Sequence, residues 1–84
     1  MKKEIMKKWV KALRSGGYEQ GKGCLVRVGK RYDEFCCLGV LADLYMQEVG
    51  DLEVEEDSDG VLWYDNRSSF LPNKVLQWGG VYVH

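Results

Sequence analysis

Apolar positions recur along this chain at two different spacings, and the change from one to the other marks its elements. Over residues 2–15, Ile5, Met6, Trp9, Val10, Ala12 and Leu13 form one continuous arc at helical spacing. Opposite them Lys3, Lys7, Lys11 and Arg14 make a basic ridge about 80° wide. Gly16-Gly17 then supplies the left-handed residue that ends a helix, with Lys11 and Arg14 at the negative end of its dipole. The densest apolar run is Phe35 to Met46. On a helix, Cys37, Leu38, Leu41, Ala42, Leu44, Tyr45, Met46 and Val49 cover most of the circumference and leave a thin strip of Gly39, Asp43 and Gln47. A helix apolar on so many sides is the core. Gly39 inside it is about 1 kcal/mol worse than Ala, which predicts that another backbone comes close there.

The stretches around these helices read as strands. Cys24-Leu25-Val26-Arg27-Val28 is β-branched, and Gly29-Lys30 suits a two-residue turn returning through Arg31 to Phe35. Asp33 and Glu34 precede the central helix, where carboxylates favour its positive end, and Gly50 closes it. Leu52-Glu53-Val54-Glu55 alternates, predicting one buried and one charged face. Asp57-Ser58-Asp59-Gly60 supplies a turn, and Val61 to Tyr64 the partner strand. After a polar loop from Asp65 to Ser69, Pro72 falls in the first turn of a short helix with Val75, Leu76 and Trp78 inward and Gly79-Gly80 as its stop. Val81-Tyr82-Val83 offers a last strand, available to pair with another copy. The order is helix, β-hairpin, central buried helix, β-hairpin, short C-terminal helix and last strand, an α+β fold in a single domain over residues 1–84.

Charge changes this picture by its distribution. The 84 residues carry a net charge of −1, which argues against a binder of long nucleic acid, yet Lys2 to Arg14 is basic and Glu48 to Asp59 acidic. A chain this short buries only about 60–65% of its unfolded surface, so a large internal active site is not expected. No apolar run approaches the roughly 18 residues of a membrane span, and the charged N-terminus lacks the apolar core of a secretion signal; the expectation is a cytoplasmic protein. Three cysteines, two of them adjacent, favour reduced thiols over a disulfide framework.

Candidate chemistry is sparse. Gly16 to Gly23 has the spacing of a phosphate loop, glycine, four residues, then glycine-lysine, but Gly23 stands where Ser or Thr would hold Mg²⁺. The loop also follows a helix and precedes a strand, the reverse of that fold. A weaker reading survives beside that of an ordinary connection: glycine backbone forms a concave anion site with Lys22 and Arg27 adding charge. Cys24, Cys36, Cys37 and His84 lack the paired arms of a zinc site, so core packing is expected of the thiols and no metal or cofactor is assigned. A catalytic thiol needs a base, and the single histidine is the last residue; no enzyme is expected. Trp9, Trp78 and Trp63 suit core anchoring, whereas Tyr18, Tyr32, Tyr64 and Tyr82 are freer to be exposed. Tyrosines beside Lys22 or Arg27 would let a base stack, at about 1–3 kcal/mol per ring.

Three segments carry a resemblance: Trp9-Val10-Lys11-Ala12-Leu13-Arg14-Ser15-Gly16 with Tyr18, Gln20, Gly23 and Leu25; Phe35-Cys36-Cys37-Leu38-Gly39-Val40-Leu41; and Phe70-Leu71-Pro72 with Val75 and Trp78. Together they resemble a family of small bacteriophage and prophage proteins to which no reaction is attached. Members of that family continue with a further helix and an asparagine-aspartate segment. An end at His84 implies either a partner subunit in that helix's place or apolar surface left open near Trp78. The resemblance implies a phage accessory protein acting by occupation in the cytoplasm of an infected host. With the glycine loop and its tyrosines, the leading expectation is a homo-oligomer that sequesters a cyclic-oligonucleotide or ADP-ribose-type antiviral signal without cleaving it. The expected ligand-binding residues are Arg14, Tyr18, Gln20, Gly21, Lys22, Gly23, Arg27 and Tyr32. The alternative is an inhibitor acting by protein-protein contact through the acidic hairpin 51–60 or the basic first helix.

Overall fold

The computed structural model describes residues 2–80. Helix α1 (Lys3–Arg14) is followed by three short strands, β1 (Glu19–Gln20), β2 (Val26–Arg27) and β3 (Glu34–Phe35), and then by α2 (Cys37–Glu48). The hairpin β4 (Val54–Glu56) and β5 (Leu62–Tyr64) leads to α3 (Asn73–Gly79). This is an α+β fold, with α2 contacting α1, α3 and β3. The expected strand at 81–83 lies outside the described residues.

Gly39 is where α2 meets the sheet. A methyl built on it would collide with the carbonyl oxygen of Leu25, whose side chain is completely buried. That carbonyl accepts the Cys36 amide at 3.0 Å, so the backbone before β2 is bonded to the start of α2 as well as packed on it. Val40, Leu41, Ala42 and Tyr45 are buried around this contact, with Ile5 of α1 and Val75 of α3. The wrap is less complete than the apolar run suggests. Leu38 and Val49 are exposed, as are Met6 and Leu13 on α1.

Several local expectations are corrected. The first sheet has three strands in the order β1-β3-β2, with β1 parallel and β2 antiparallel to β3, so the hairpin partner is also bridged by residues read as loop. Val26 pairs with Phe35 and Arg27 with Glu34, which leaves Val28–Asp33 as a wide loop in place of a tight Gly29-Lys30 turn. Glu34 belongs to β3, and the N-cap of α2 is Cys36, whose Sγ accepts the Gly39 amide at 3.3 Å. Pro72 is the N-cap of α3, one residue before its first turn, and its carbonyl accepts the Val75 amide at 3.0 Å. Asp65 and Asn66, read as open loop, both have positive φ and form a tight reversal in which Tyr64 and Arg67 exchange backbone hydrogen bonds. Asp and Asn are the non-glycine residues that best tolerate that region.

The second hairpin forms as expected, with Val54 opposite Tyr64 and Glu56 opposite Leu62. Its burial differs. Leu52 is buried, but Val54 is exposed with the acidic residues, so β4 is solvated on both faces. Trp63 is exposed rather than a core anchor, and its indole donates to Asp57 Oδ2 at 2.9 Å. Tyr64, expected outside, is buried. Asp57 also accepts the Asp59 and Val61 amides, and the Trp63 indole with these amides holds its carboxyl below the usual carboxylate range. Trp9 and Trp78 pack against the core as expected; Trp9 donates to the Cys37 carbonyl and Trp78 meets Tyr45 edge-on at 5.3 Å.

Gly39→Ala is expected to destabilise by at least the upper part of the roughly 1–3 kcal/mol typical of overpacking, because the obstacle is backbone that cannot rotate away. Urea unfolding of the variant checks this, and an unchanged midpoint would contradict the close approach. A second expectation concerns alkaline pH. The hydrogen bond to Asp51, with burial, pushes Tyr45 up to about 12, and burial pushes Tyr64 up to about 12, against 10.0 unperturbed. Above pH 10 the unfolded chain gives up protons that the native state retains, so stability is intact below 10 and falls through the interval to 12. Tyr45→Phe should make that decline shallower in chemical denaturation measured across the interval.

Candidate functional site

The end of α1, the loop after β1, β3 and the first turn of α2 converge on a hollow of about 600 Å³. Leu13 lines it from the last turn of α1. Tyr18 and then Gln20, Gly21, Lys22 and Gly23 form one side, and Phe35, Cys36, Cys37 and Val40 form the floor and far wall. The loop is bound to the sheet at its near end, where the Gly21 amide donates to Phe35 O at 2.9 Å. A Cβ on Gly21 would lie 2.8 Å from the Cβ of Glu34, so glycine lets the loop hug β3. At the far end Gly23 has φ +85°, and its carbonyl accepts the Ser69 hydroxyl at 3.1 Å.

The polar strip of α2 fixes the tyrosine. Tyr18 Oη donates to Asp43 Oδ2 at 2.6 Å, and the Gln47 side-chain amide donates to the same oxygen at 2.8 Å. Burial first, and then the Asp43 hydrogen bond and charge, push Tyr18 up to about 12. Its ring therefore stands as a neutral phenol at physiological pH, and it meets the Phe35 ring edge-on at 4.8 Å and 85°. The positive end of α2 reaches the same hollow through Cys36 and Cys37, which adds favourable potential for an anion to that of Lys22.

Of the residues expected to bind a ligand, Tyr18, Gln20, Gly21, Lys22 and Gly23 lie together around this hollow, and Arg14, Arg27 and Tyr32 do not. Each exclusion has a geometric cause. Arg14 is one residue on from Leu13, about 100° around the helix, and stays exposed. Val26 is buried on β2, so strand alternation turns Arg27 outward; its backbone bridges Val61 of the acidic hairpin, and its charge adds to the lowering of Asp57. Tyr32 is 56% exposed in the 28–33 loop and, with Gly29, Lys30, Arg31 and Glu34, lines a separate hollow of about 360 Å³.

Leu13, Phe35, Cys36, Cys37 and Val40 were not anticipated as lining residues. They carry no signal beyond hydrophobicity, and only the fold separates an apolar wall from a core. The thiols are all free, with Cys24 buried, Cys36 half-buried and Cys37 exposed, so core packing holds for the first and not the last. His84 lies outside the described residues, and among those described no group of His, Cys, Asp and Glu is placed to hold a metal ion. No described helix is long and apolar enough to cross a membrane.

A family model spans all of residues 1–84. The chain belongs to the DUF8296 family, a domain of unknown function. No curated protein and no solved structure matches it.

Exposure at the site sets an order of thiol reactivity. Cys37 is expected to react with a small aromatic disulfide reagent in the native state, Cys36 more slowly, and Cys24 only after unfolding. Peptide mapping of the labelled protein checks the order, and early labelling of Cys24 would contradict it.

Proposed function

We propose that this protein binds a nucleotide-derived small molecule in the hollow between α1, the Gly21-Lys22-Gly23 loop and the start of α2, and holds it without cleaving it. The observation that carries the reading is the meeting of Lys22 and glycine backbone with the Tyr18–Phe35 ring pair around one space of about 600 Å³. That volume is in the range of roughly 300–1,000 Å³ usual for small-molecule sites. Phosphate recognition draws on the loop and the helix end, and ring recognition on the aromatic and aliphatic wall. Tyr18, whose hydroxyl donates to Asp43, acts here as a fixed wall and not as a base.

Taken with the resemblance to phage proteins, the biological role would be sequestration of an antiviral nucleotide signal, of cyclic-oligonucleotide or ADP-ribose type, in the cytoplasm of an infected bacterium. A homo-oligomer extends the same reading. Leu13 is 42% exposed at the rim, which leaves apolar surface for a neighbouring copy to cover while closing the hollow.

One observation favours the second reading, an inhibitor acting by protein contact. Glu55, Glu56, Asp57, Trp63 and Asn66 surround a hollow of about 280 Å³ on the exposed hairpin, where a cationic side chain of a host protein would fit. The basic ridge of α1 is the other docking element of that reading.

A thermal-shift panel of nucleotides separates the two. A ligand at 100 times its Kd stabilises by about 2.7 kcal/mol, raising Tm by roughly 10–20 °C in a domain of this size. Lys22→Ala should abolish most of that rise, while Glu55→Gln with Glu56→Gln leaves it unchanged. No shift with any nucleotide would sink the sequestration reading, and loss of host-protein binding in the hairpin variant alone would favour the inhibitor.

A further inference from the structure

Resting on the nucleotide-binding reading above, but not on the cyclic-oligonucleotide or ADP-ribose signal named with it, the geometry points to a different class of ligand: we infer that the hollow takes a nucleotide with a single phosphate, one per chain, with its base against the Tyr18–Phe35 wall. The charge around the hollow decides the number of phosphates. Lys22 is the one basic side chain among its described lining residues, and it forms no ion pair with any described residue. Arg14 and Arg27, which would have made a polyphosphate site, lie elsewhere. The backbone amides of Lys22 and Gly23 have no partner among the described residues. One ammonium and two amides on successive residues match the oxygens of one phosphate. The α2 N-terminus at Cys36 and Cys37 adds only roughly half a unit charge, too little to balance a second phosphate, which would otherwise sit against Leu13 and the rings where a desolvated charge has no counter-charge.

The rest of the wall describes the body of the ligand. Tyr18 is locked by Asp43 and Gln47, so its ring is ordered before anything binds. Phe35 is fixed by the pairing of β3 on both sides. Two rings held edge to face beside an aliphatic wall offer a planar base its contact without loss of side-chain freedom. Gln20, exposed on the rim, brings a donor and an acceptor to a base edge or a ribose.

Calorimetric titration of the full chain with AMP, GMP, their nucleosides, inorganic phosphate, ADP-ribose and cyclic di-AMP tests the inference. AMP or GMP should bind about tenfold or more tighter than its nucleoside and than inorganic phosphate, with one site per chain. ADP-ribose should gain no more than about twofold over AMP, because its second phosphate finds no cation. Lys22→Ala, a change in an exposed loop, should reduce the nucleotide to the affinity of its nucleoside and move the nucleoside itself by less than about twofold. ADP-ribose or cyclic di-AMP binding about tenfold tighter than AMP, or cyclic di-AMP binding at one per two chains, would overturn the single-phosphate inference and leave the nucleotide-binding reading standing. Inorganic phosphate matching AMP would overturn the base contact. No binding by any of these compounds would overturn both the inference and the reading beneath it.

Discussion

The fold depends on two backbones brought into contact at Gly39. Helix α2 lies directly on the chain entering β2, with the Leu25 carbonyl occupying the space a side chain would need. That carbonyl is satisfied by the Cys36 amide, so the approach does not cost the oxygen its hydrogen bond. The rest follows from this seating. Leu25 and Val26 are carried into the core, β2 and β3 are aligned with the helix start, and the first turn of α2 becomes the floor of the hollow. A glycine that weakens an isolated helix by about 1 kcal/mol is what this seating requires, because any side chain there would meet the Leu25 carbonyl.

Features carried by short-range chemistry are legible in the sequence alone. The amphipathic arc of α1, the near-continuous apolar surface of α2 with its single glycine, and the turn Asp57 to Gly60 all signal through local residues, and each forms where the pattern points. What was not legible depends on partners far along the chain. Glu19-Gln20 has no strand character of its own and becomes β1 only because β3 offers it an edge. Cys36 caps α2 in preference to the carboxylates before it because pairing with β2 draws Glu34 into a strand. Trp63 faces solvent because Asp57 gives its indole a partner there, which hydrophobicity alone does not foresee.

The candidate site divides along the same line. Its loop was readable, because Gly21, Lys22 and Gly23 act through backbone freedom and charge that any context preserves. Its wall was not, since Phe35 and Cys37 look like core residues until the end of α1 is seen to leave them partly open, and Val40 lines the hollow while belonging to the core. Arg27 illustrates the reverse error. It is close to Lys22 in sequence, but a strand sends alternate residues to opposite faces, and burial of Val26 fixed which face Arg27 received.

The loop around the hollow is anchored from the far end of the chain. The Leu25 amide donates to Ser68 O at 2.6 Å, and the Ser69 hydroxyl donates to the Gly23 carbonyl. During ribosomal synthesis, then, the glycine turn has no finished anchorage until residue 69 has left the exit tunnel. The hollow is complete only once the segment at Ser68 and Ser69 has joined the turn at Gly23 and Leu25, a contact of long sequence separation that forms after the local helices.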